Sequence, residues 1–173
     1  LGFPKENKNL VAEESTSATD SEAFRRIAVG KVADGAVVPL SSVSDQAFAS
    51  AALGKGIAII PTEQITNIYA PVSGEIVTVF PTIHAYGILS NDGIEVLIHI
   101  GVDTVNLDGK GFASFVKQGQ QIEAGNVMAE VDIKKIKDED FDPTIMVVVT
   151  NTKDFLDVIS AGNDTDDSLY ILM

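Results

Sequence analysis

From about Phe24 onward, apolar residues form short runs rich in β-branched side chains, and glycine or proline separates one run from the next. Runs of this length and composition are typical of strands. We therefore predict strands at Ile27–Val32, Ala36–Leu40, Gly56–Pro61, Asn67–Ala70, Gly74–Phe80, Tyr86–Ser90, Gly93–Gly101, Val127–Asp132 and Ile145–Val149. The fold class that follows is all-β, a glycine-rich antiparallel sandwich or barrel with a few short helical turns.

Local signals refine this pattern in a few places. A short apolar strand is expected between Gly119 and Gly125. The segment Ser44–Ala52 has good helix formers after a serine cap, and Ile133–Asp138 has room for one or two helical turns. The sequence Asn91-Asp92-Gly93 predicts a tight hairpin of type I′, because Asp-Gly tolerates a positive φ.

Composition limits the possible functions. The 173 residues fit one domain, and the absence of cysteine excludes disulfides, a thiolate zinc site and a cysteine nucleophile. A formal net charge of −13 argues against nucleic acid as a partner, because the phosphate backbone would be repelled. No apolar run is long enough to cross a bilayer, so we expect a cytoplasmic protein or a cytoplasmic domain.

The first residues differ in composition from the rest. They are rich in Lys, Glu, Asn, Ser and Thr, with no sustained apolar period. We predict a linker or disordered tail at residues 1–22 and the folded domain at residues 23–173. Because the chain does not begin with methionine, we expect it to be part of a longer polypeptide.

The chain has two histidines, His84 and His99. His99 lies in the apolar run Val96-Leu-Ile-His-Ile-Gly101, where burial disfavours the imidazolium and keeps a ring lone pair available. A neutral ring nitrogen can bind a metal, take up a proton or accept a phosphoryl group. The structural alternative is a core histidine whose nitrogens are satisfied by backbone groups.

A hairpin centred between Asn91 and Asp92 would place His84 directly opposite His99, with Cβ atoms about 5 Å apart. Thr82 would lie on the same face as His84 and hold it in one tautomer. Gly101 would lie on the face of His99 and leave its ring open.

Asp103 follows near the strand end, which leaves two chemistries open. Zinc would need Asp103 as a third ligand. Phosphoryl transfer would need one nucleophilic nitrogen and a second donor for the phosphoryl oxygens. The sequence has no phosphate-binding loop, nucleophile elbow or dinucleotide fingerprint.

Several longer motifs resemble one known family. They follow one another in order as Gly54–Pro61, Ala70–Val77, Phe80–Gly87, Gly93–Val105 and Leu107–Phe112. Together they resemble the glucose-family enzyme IIA domain of the bacterial phosphoenolpyruvate:sugar phosphotransferase system. The resemblance runs from about Ile27 to Val158. The segment Phe141–Asn151 is similar to the β-glucoside branch, in which this domain commonly ends a membrane permease.

The resemblance implies a site and a reaction. His99 matches the histidine that accepts the phosphoryl group, His84 matches the second histidine that supports it, and Thr82 matches the threonine paired with His84. The donor in this family is the histidine phosphocarrier HPr, and the acceptor is a cysteine of a IIB domain. The phosphoryl group is carried covalently, so no cofactor is implied.

The resemblance also implies a docking face. Phe48 and Phe80 match apolar positions around that face, and Asp103 matches an acidic residue beside the site. Gly101 belongs to the same face. Leu97 stands where many relatives have phenylalanine, a hydrophobic exchange that we expect to be tolerated.

Three alternatives remain at this stage. A biotinyl or lipoyl carrier would need an exposed lysine at a hairpin tip, and the sequence Asp132-Ile-Lys-Lys-Ile lacks the usual flanking residues. A zinc peptidase of similar architecture would need more ligands than two isolated histidines supply. A regulatory IIA-like domain fused to a sugar transporter keeps the fold and changes the role.

Overall fold

The computed structural model describes residues 25–173, so the predicted linker or tail at residues 1–22 lies outside the described residues. The strands, numbered in chain order, are β1 (Arg26–Gly30), β2 (Gly35–Pro39), β3 (Lys55–Pro61), β4 (Ile65–Tyr69), β5 (Gly74–Val79), β6 (Ala85–Ser90), β7 (Glu95–Ile100), β8 (Phe112–Ser114), β9 (Gln121–Ile122), β10 (Val127–Asp132), β11 (Ile145–Val149), β12 (Asp157–Ser160) and β13 (Asp167–Leu172). The helices are α1 (Gln46–Ala49) and α2 (Ile133–Asp138), with 3-10 turns at Leu40–Ser42, Thr104–Leu107 and Thr152–Asp154.

The strands form three antiparallel sheets. The largest has the order β9-β5-β6-β7-β11-β3-β2, and two three-stranded sheets have the orders β4-β10-β8 and β12-β13-β1. All strand pairs within residues 25–173 are antiparallel. The prediction of an all-β fold with short helical pieces is therefore confirmed.

One main core joins the three sheets. Buried residues from each sheet pack into it, among them Val29 from β1, Ile57 from β3, Ile68 from β4 and Leu169 from β13. Strand β7 shows how the site is separated from this core. Val96, Ile98 and Ile100 point into the core, while the alternate positions of β7 face the other side of the sheet.

Each of the nine predicted strands coincides with an observed strand to within two residues at either end. Strands β8, β12 and β13 were not predicted from the sequence. Strand β8 has three residues, and β12 and β13 each begin with an aspartate, which is depleted in strands. These segments are strands because β12 pairs with β13, and β13 pairs with the distant β1. Tertiary pairing outweighs local preference here.

The hairpin predicted at Asn91–Gly93 is present between β6 and β7, but its turn is not of type I′. Asp92 does not have a positive φ, whereas Gly93 has a φ of 85°, and its N–H donates to the carbonyl of Ser90 at 3.0 Å. The loop thus has three residues, with a glycine in the left-handed position at its end. The register shifts by one residue, so His99 pairs with Ala85.

The serine cap predicted for the first helix is also wrong by one residue. Asp45 is the cap of α1, and its carboxylate accepts a hydrogen bond from the N–H of Ala47 at 2.9 Å. A carboxylate is favoured at this position because it faces the unpaired N–H groups of the first turn. The short helix predicted at Ile133–Asp138 is confirmed and is capped by Asp132.

Two glycines in the large sheet stand in contrasting surroundings. A Cβ added at Gly56 on β3 would overlap the backbone carbonyl of Val147 on β11. A Cβ added at Gly87 on β6 would lie 3.4 Å from the Cβ of Thr78, an ordinary van der Waals contact. Neither glycine has a positive φ. The close approach of β3 and β11 therefore depends on Gly56.

We predict that Gly56→Ala lowers the free energy of unfolding by about 3 kcal/mol, because the methyl group must displace backbone of β11. The matched variant Gly87→Ala should change it by less than about 1 kcal/mol. Urea unfolding of both variants measures this. Equal midpoints for the two variants would show that β3 and β11 tolerate a side chain at their contact.

Candidate functional site

His99 lies on β7, on the face of the large sheet turned away from the main core. Its Cα partners are Ala85 on β6 and Met146 on β11. The imidazole is half-buried, whereas Ile98 and Ile100 on either side are fully buried in the core. The strand therefore presents His99 at a surface that is only partly open to water.

A second, smaller apolar cluster surrounds His99. Its buried members are Leu40, Val43, Phe48, Ala58, Met146 and Val148, with Val38, Ala49, Leu97 and Val102 packed against them. The 3-10 turn at Leu40–Ser42 and helix α1 lie over the sheet here, and Phe48 belongs to α1. The Phe48 ring centroid is 5.2 Å from that of His99. This arrangement removes water from one side of the imidazole.

The backbone after β7 fixes the tautomer of His99. Its Nδ1 is 2.8 Å from the carbonyl oxygen of Gly101. Because a carbonyl only accepts hydrogen bonds, Nδ1 carries the proton and donates it. Nε2 of the neutral ring consequently holds the lone pair.

Gly101 reaches this position because β7 ends at Ile100, so the predicted strand alternation of Gly101 with His99 is wrong. Gly101 has a φ of 81°, a conformation that favours glycine. A side chain there would overlap Thr104. The Gly101 N–H donates to the carbonyl of Thr144 at 2.9 Å, which holds the turn against the segment before β11.

His84 lies in the turn between β5 and β6 and is buried, with 3% of its surface exposed. The turn is closed by Phe80 N–H, which donates to the Ala85 carbonyl at 3.0 Å. Thr82 Oγ1 is 2.7 Å from Nδ1 of His84, the contact predicted from their spacing. The carbonyl of His84 accepts a hydrogen bond from Ile100 N–H at 2.8 Å.

Four aromatic rings form a row across the site. The centroid distances are 5.5 Å from Phe80 to His84, 4.9 Å from His84 to His99 and 5.2 Å from His99 to Phe48. The two imidazole planes are nearly perpendicular, at 81°. The structure thus brings the two histidines together as predicted, although they are not paired in register.

Burial keeps both imidazoles neutral near pH 7. It lowers the pKa of His84 to about 4, with a smaller contribution from the nearby His99. Burial also lowers the pKa of His99, against the opposing effects of its bond to the Gly101 carbonyl and of the carboxylates of Asp45 and Asp103. The two carboxylates therefore favour positive charge on His99 in a place where desolvation disfavours it.

The other predicted docking residues lie around this row. Phe80 is exposed, Leu97 is half-buried on the face of His99, and Asp103 is exposed with a φ of 59°. A groove of about 300 Å³ begins at Phe80 and Leu97 and continues between Val77 and Leu89. The candidate face is thus apolar, with a carboxylate at its edge.

Two residues at the site, Asp45 and Met146, were not predicted from the sequence. Asp45 acts on the charge of His99 in addition to capping α1, and Met146 lies beside His99 on the neighbouring strand. Asp45 precedes a run of helix formers, a capping signal that Ser44 obscured. The position of Met146 depends on the pairing of β7 with β11, which no local signal reports.

Within residues 25–173, no group of three or more histidine, cysteine or acidic side chains is close enough to hold a metal ion. Asp103 therefore does not complete a zinc site with His84 and His99. In the same part of the chain, no helix has the length and apolar character needed to span a membrane.

Comparisons with known proteins point to one family. A family model described as phosphoenolpyruvate-dependent sugar phosphotransferase system, EIIA 1, matches residues 27–155. The β-glucoside-specific EIIBCA component of the phosphotransferase system (PTS) of Halalkalibacterium halodurans is 41% identical over 155 residues, which are 90% of this chain and 24% of that protein. The PTS glucose-specific EIIA component of Mycoplasma capricolum is 48% identical over 103 residues, which are 60% of this chain and 66% of that protein.

A solved structure of the same family shares the fold. The glucose permease IIA from Mycoplasma capricolum superposes with a TM-score of 0.72 at 36% identity, covering 86% of this chain and 96% of that one. The chain spans about a quarter of the length of the β-glucoside relative. From the matched family model, the site and the shared fold, we conclude that the chain belongs to the EIIA 1 family of the phosphoenolpyruvate-dependent sugar phosphotransferase system.

Proposed function

We propose that this domain is a phosphoryl carrier in sugar uptake, which accepts phosphate from HPr on His99 and passes it to a cysteine of a cognate IIB domain. The observation that carries the proposal is the pair of neutral imidazoles, each hydrogen-bonded at Nδ1. Nδ1 of His99 is bound by the Gly101 carbonyl, and Nδ1 of His84 by the Thr82 hydroxyl. In the proposal the Gly101 carbonyl accepts from His99 and the Thr82 hydroxyl donates to His84, so the two rings take different tautomers and different roles.

His99 is the nucleophile in this proposal. Its Nε2 lone pair attacks phosphorus, the new N–P bond forms, and the bond to the donor's histidine nitrogen breaks with its electron pair returning to the donor. The proton on Nδ1 stays in place, bonded to the Gly101 carbonyl. The phosphorylated ring is then positively charged, and Asp45 and Asp103 stabilise that charge.

That charge also serves the second transfer. A positively charged ring leaves phosphorus more readily than a neutral one, because the electron pair of the breaking N–P bond returns to it and neutralises it. The IIB cysteine sulfur then forms the S–P bond. The Gly101 carbonyl thereby assists both loading and unloading of His99, since it holds the Nδ1 proton in both states.

His84 is the supporting donor. We assign the Thr82 hydroxyl as the donor to Nδ1 of His84, because the role of supporting donor requires the proton of that ring on Nε2. With a pKa of about 4 the ring is neutral near pH 7. A fixed N–H donor stabilises charge on the phosphoryl oxygens during transfer.

In the proposal the apolar face has two roles. Phe48, Leu97 and Phe80 exclude water around the imidazoles, and this slows hydrolysis of the N–P bond. They also form the docking surface, together with Gly101 and Asp103. Donor and acceptor must both reach the same nitrogen, so the two partners use overlapping surfaces and bind in turn.

The proposal requires no cofactor beyond the phosphoryl group on His99. The chain has no cysteine, so the acceptor cysteine belongs to another domain or another chain. The names of several relatives, EIIBCA and EIICBA, describe fused components, which supports association with IIB and a membrane permease. The domain would then work on the cytoplasmic side of the membrane.

The alternatives fare differently. A biotinyl or lipoyl carrier and a zinc peptidase belong to other families, and the matched family disfavours both. A regulatory IIA-like domain would share the fold and the histidines. The second transfer separates it from a carrier, because a regulatory domain would accept phosphate without passing it to a IIB cysteine.

We predict that His99→Ala folds normally and gains no phosphoryl adduct when incubated with enzyme I, HPr and phosphoenolpyruvate, because it removes the proposed nucleophile. Intact-mass spectrometry checks this, and the unchanged chain is the positive control. The adduct should be acid-labile and base-stable. Full labelling of the variant would contradict the assignment of His99.

We predict that His84→Ala slows transfer to His99 by about 100-fold without abolishing it, because one preorganised donor is lost while the nucleophile remains. Thr82→Ala should give a milder defect, and Thr82→Ser, which keeps the hydroxyl, should be close to the unchanged chain. Rapid-quench kinetics with phosphorylated HPr and peptide mapping measure this. Phosphate found on His84 would reverse the two roles.

A further inference from the structure

Ile83 has a backbone conformation that β-branched residues avoid. Its φ is +51°, in the left-handed region where Cβ crowds the carbonyl oxygen. Glycine and asparagine adopt this conformation at much lower cost. Ile83 also lies between Thr82 and His84, whose side chains are bonded to each other. The strain therefore falls on the residue that joins the hydroxyl to the imidazole it orients.

The turn around Ile83 is closed by backbone hydrogen bonds on both sides. The N–H of Ile83 donates to the Phe80 carbonyl at 2.7 Å, and Phe80 N–H donates to the Ala85 carbonyl at 3.0 Å. Beyond the turn, Ile100 N–H donates to the His84 carbonyl at 2.8 Å. Strained conformations persist where the surroundings determine them in this way, and they are frequent at functional sites.

The turn, and not the strand register, brings His84 next to His99. His99 pairs with Ala85, so His84 lies one residue outside the pair. Regular alternation would send neighbouring side chains of an extended strand to opposite faces. The imidazoles of His84 and His99 nevertheless meet, with centroids 4.9 Å apart. The bend at residues 83 and 84 replaces the alternation and turns His84 toward His99.

The side chain of Ile83 lies beside a second turn. It is half-buried, and a Cβ built on Gly109 would stand 3.9 Å from Cγ1 of Ile83 and 3.8 Å from the carbonyl oxygen of Thr82. Gly109 itself has a φ of 85°. The two turns thus lie side by side, with the aliphatic side chain of Ile83 next to the bare backbone of Gly109.

We propose that Ile83 is a positioning residue for the phosphoryl transfer, and that its side chain, placed beside Gly109, holds the turn in the conformation in which Thr82 reaches His84. This inference rests on the proposed function. Glycine at position 83 would adopt the same positive φ without strain, but it would lose the aliphatic contact beside Gly109. Stability and transfer should therefore respond in different directions to substitution at this position.

The test compares Ile83→Gly with Ile83→Val. The glycine variant relieves the strain and removes the contact, so its Tm should stay the same or rise by about 3 °C. Its single-turnover transfer from phosphorylated HPr should slow about tenfold. The His84 ring should show a mixture of tautomers in ¹⁵N NMR spectra. The valine variant keeps a branched side chain beside Gly109, and it should transfer within about twofold of the unchanged chain.

Three results would overturn the inference. One is a glycine variant that transfers at the unchanged rate with His84 in a single tautomer, and another is a valine variant slowed as much as the glycine variant. The third is a glycine variant whose Tm is lowered by several degrees, which would show that the side chain only stabilises the fold. If the unchanged chain is not phosphorylated, the proposed function fails, and the tautomer of His84 still tests the role of Ile83.

Discussion

The hydrogen bond from Nδ1 of His99 to the carbonyl of Gly101 determines which nitrogen the site offers to a partner. The surrounding structure makes this bond possible. Strand β7 must end at Ile100, Gly101 must take a positive φ, and the segment before β11 must hold the Gly101 N–H through the carbonyl of Thr144. A strand that continued one residue further would turn this carbonyl away, and both ring nitrogens would be free.

The second constraint is that two imidazoles lie in contact without becoming charged. Burial lowers both pKa values, and the nearby His99 lowers that of His84 further, so both rings are neutral near pH 7. The apolar cluster around Phe48 supplies the burial of His99, while Asp45 and Asp103 limit how far its pKa falls. Desolvation and acidic neighbours therefore act in opposite directions on His99, which suits the proposed function, in which the ring is neutral before transfer and positively charged after it.

Much of this site was predictable from the sequence because its parts are local. His99 in an apolar run, Thr82 two residues before His84 and the glycine after β7 are all visible in short stretches. The register of β6 and β7 could not be predicted, because it depends on whether Gly93 or Asp92 has the positive φ. A loop of two residues fits the sequence as well as a loop of three. Strand β13 and the place of Met146 depend on pairing between distant segments, and the strain at Ile83 depends on hydrogen bonds made by its neighbours.

In the proposed mechanism, Nε2 of His99 carries the phosphoryl group while Nδ1 stays bonded to the Gly101 carbonyl. Two-dimensional ¹H–¹⁵N NMR of the phosphorylated chain, labelled with ¹⁵N at its two histidines, distinguishes the nitrogens. This mechanism predicts a phosphorus coupling to Nε2 of His99 and an unmodified His84 with its proton on Nε2. A phosphorus coupling to Nδ1 of His99, or to either nitrogen of His84, would contradict it.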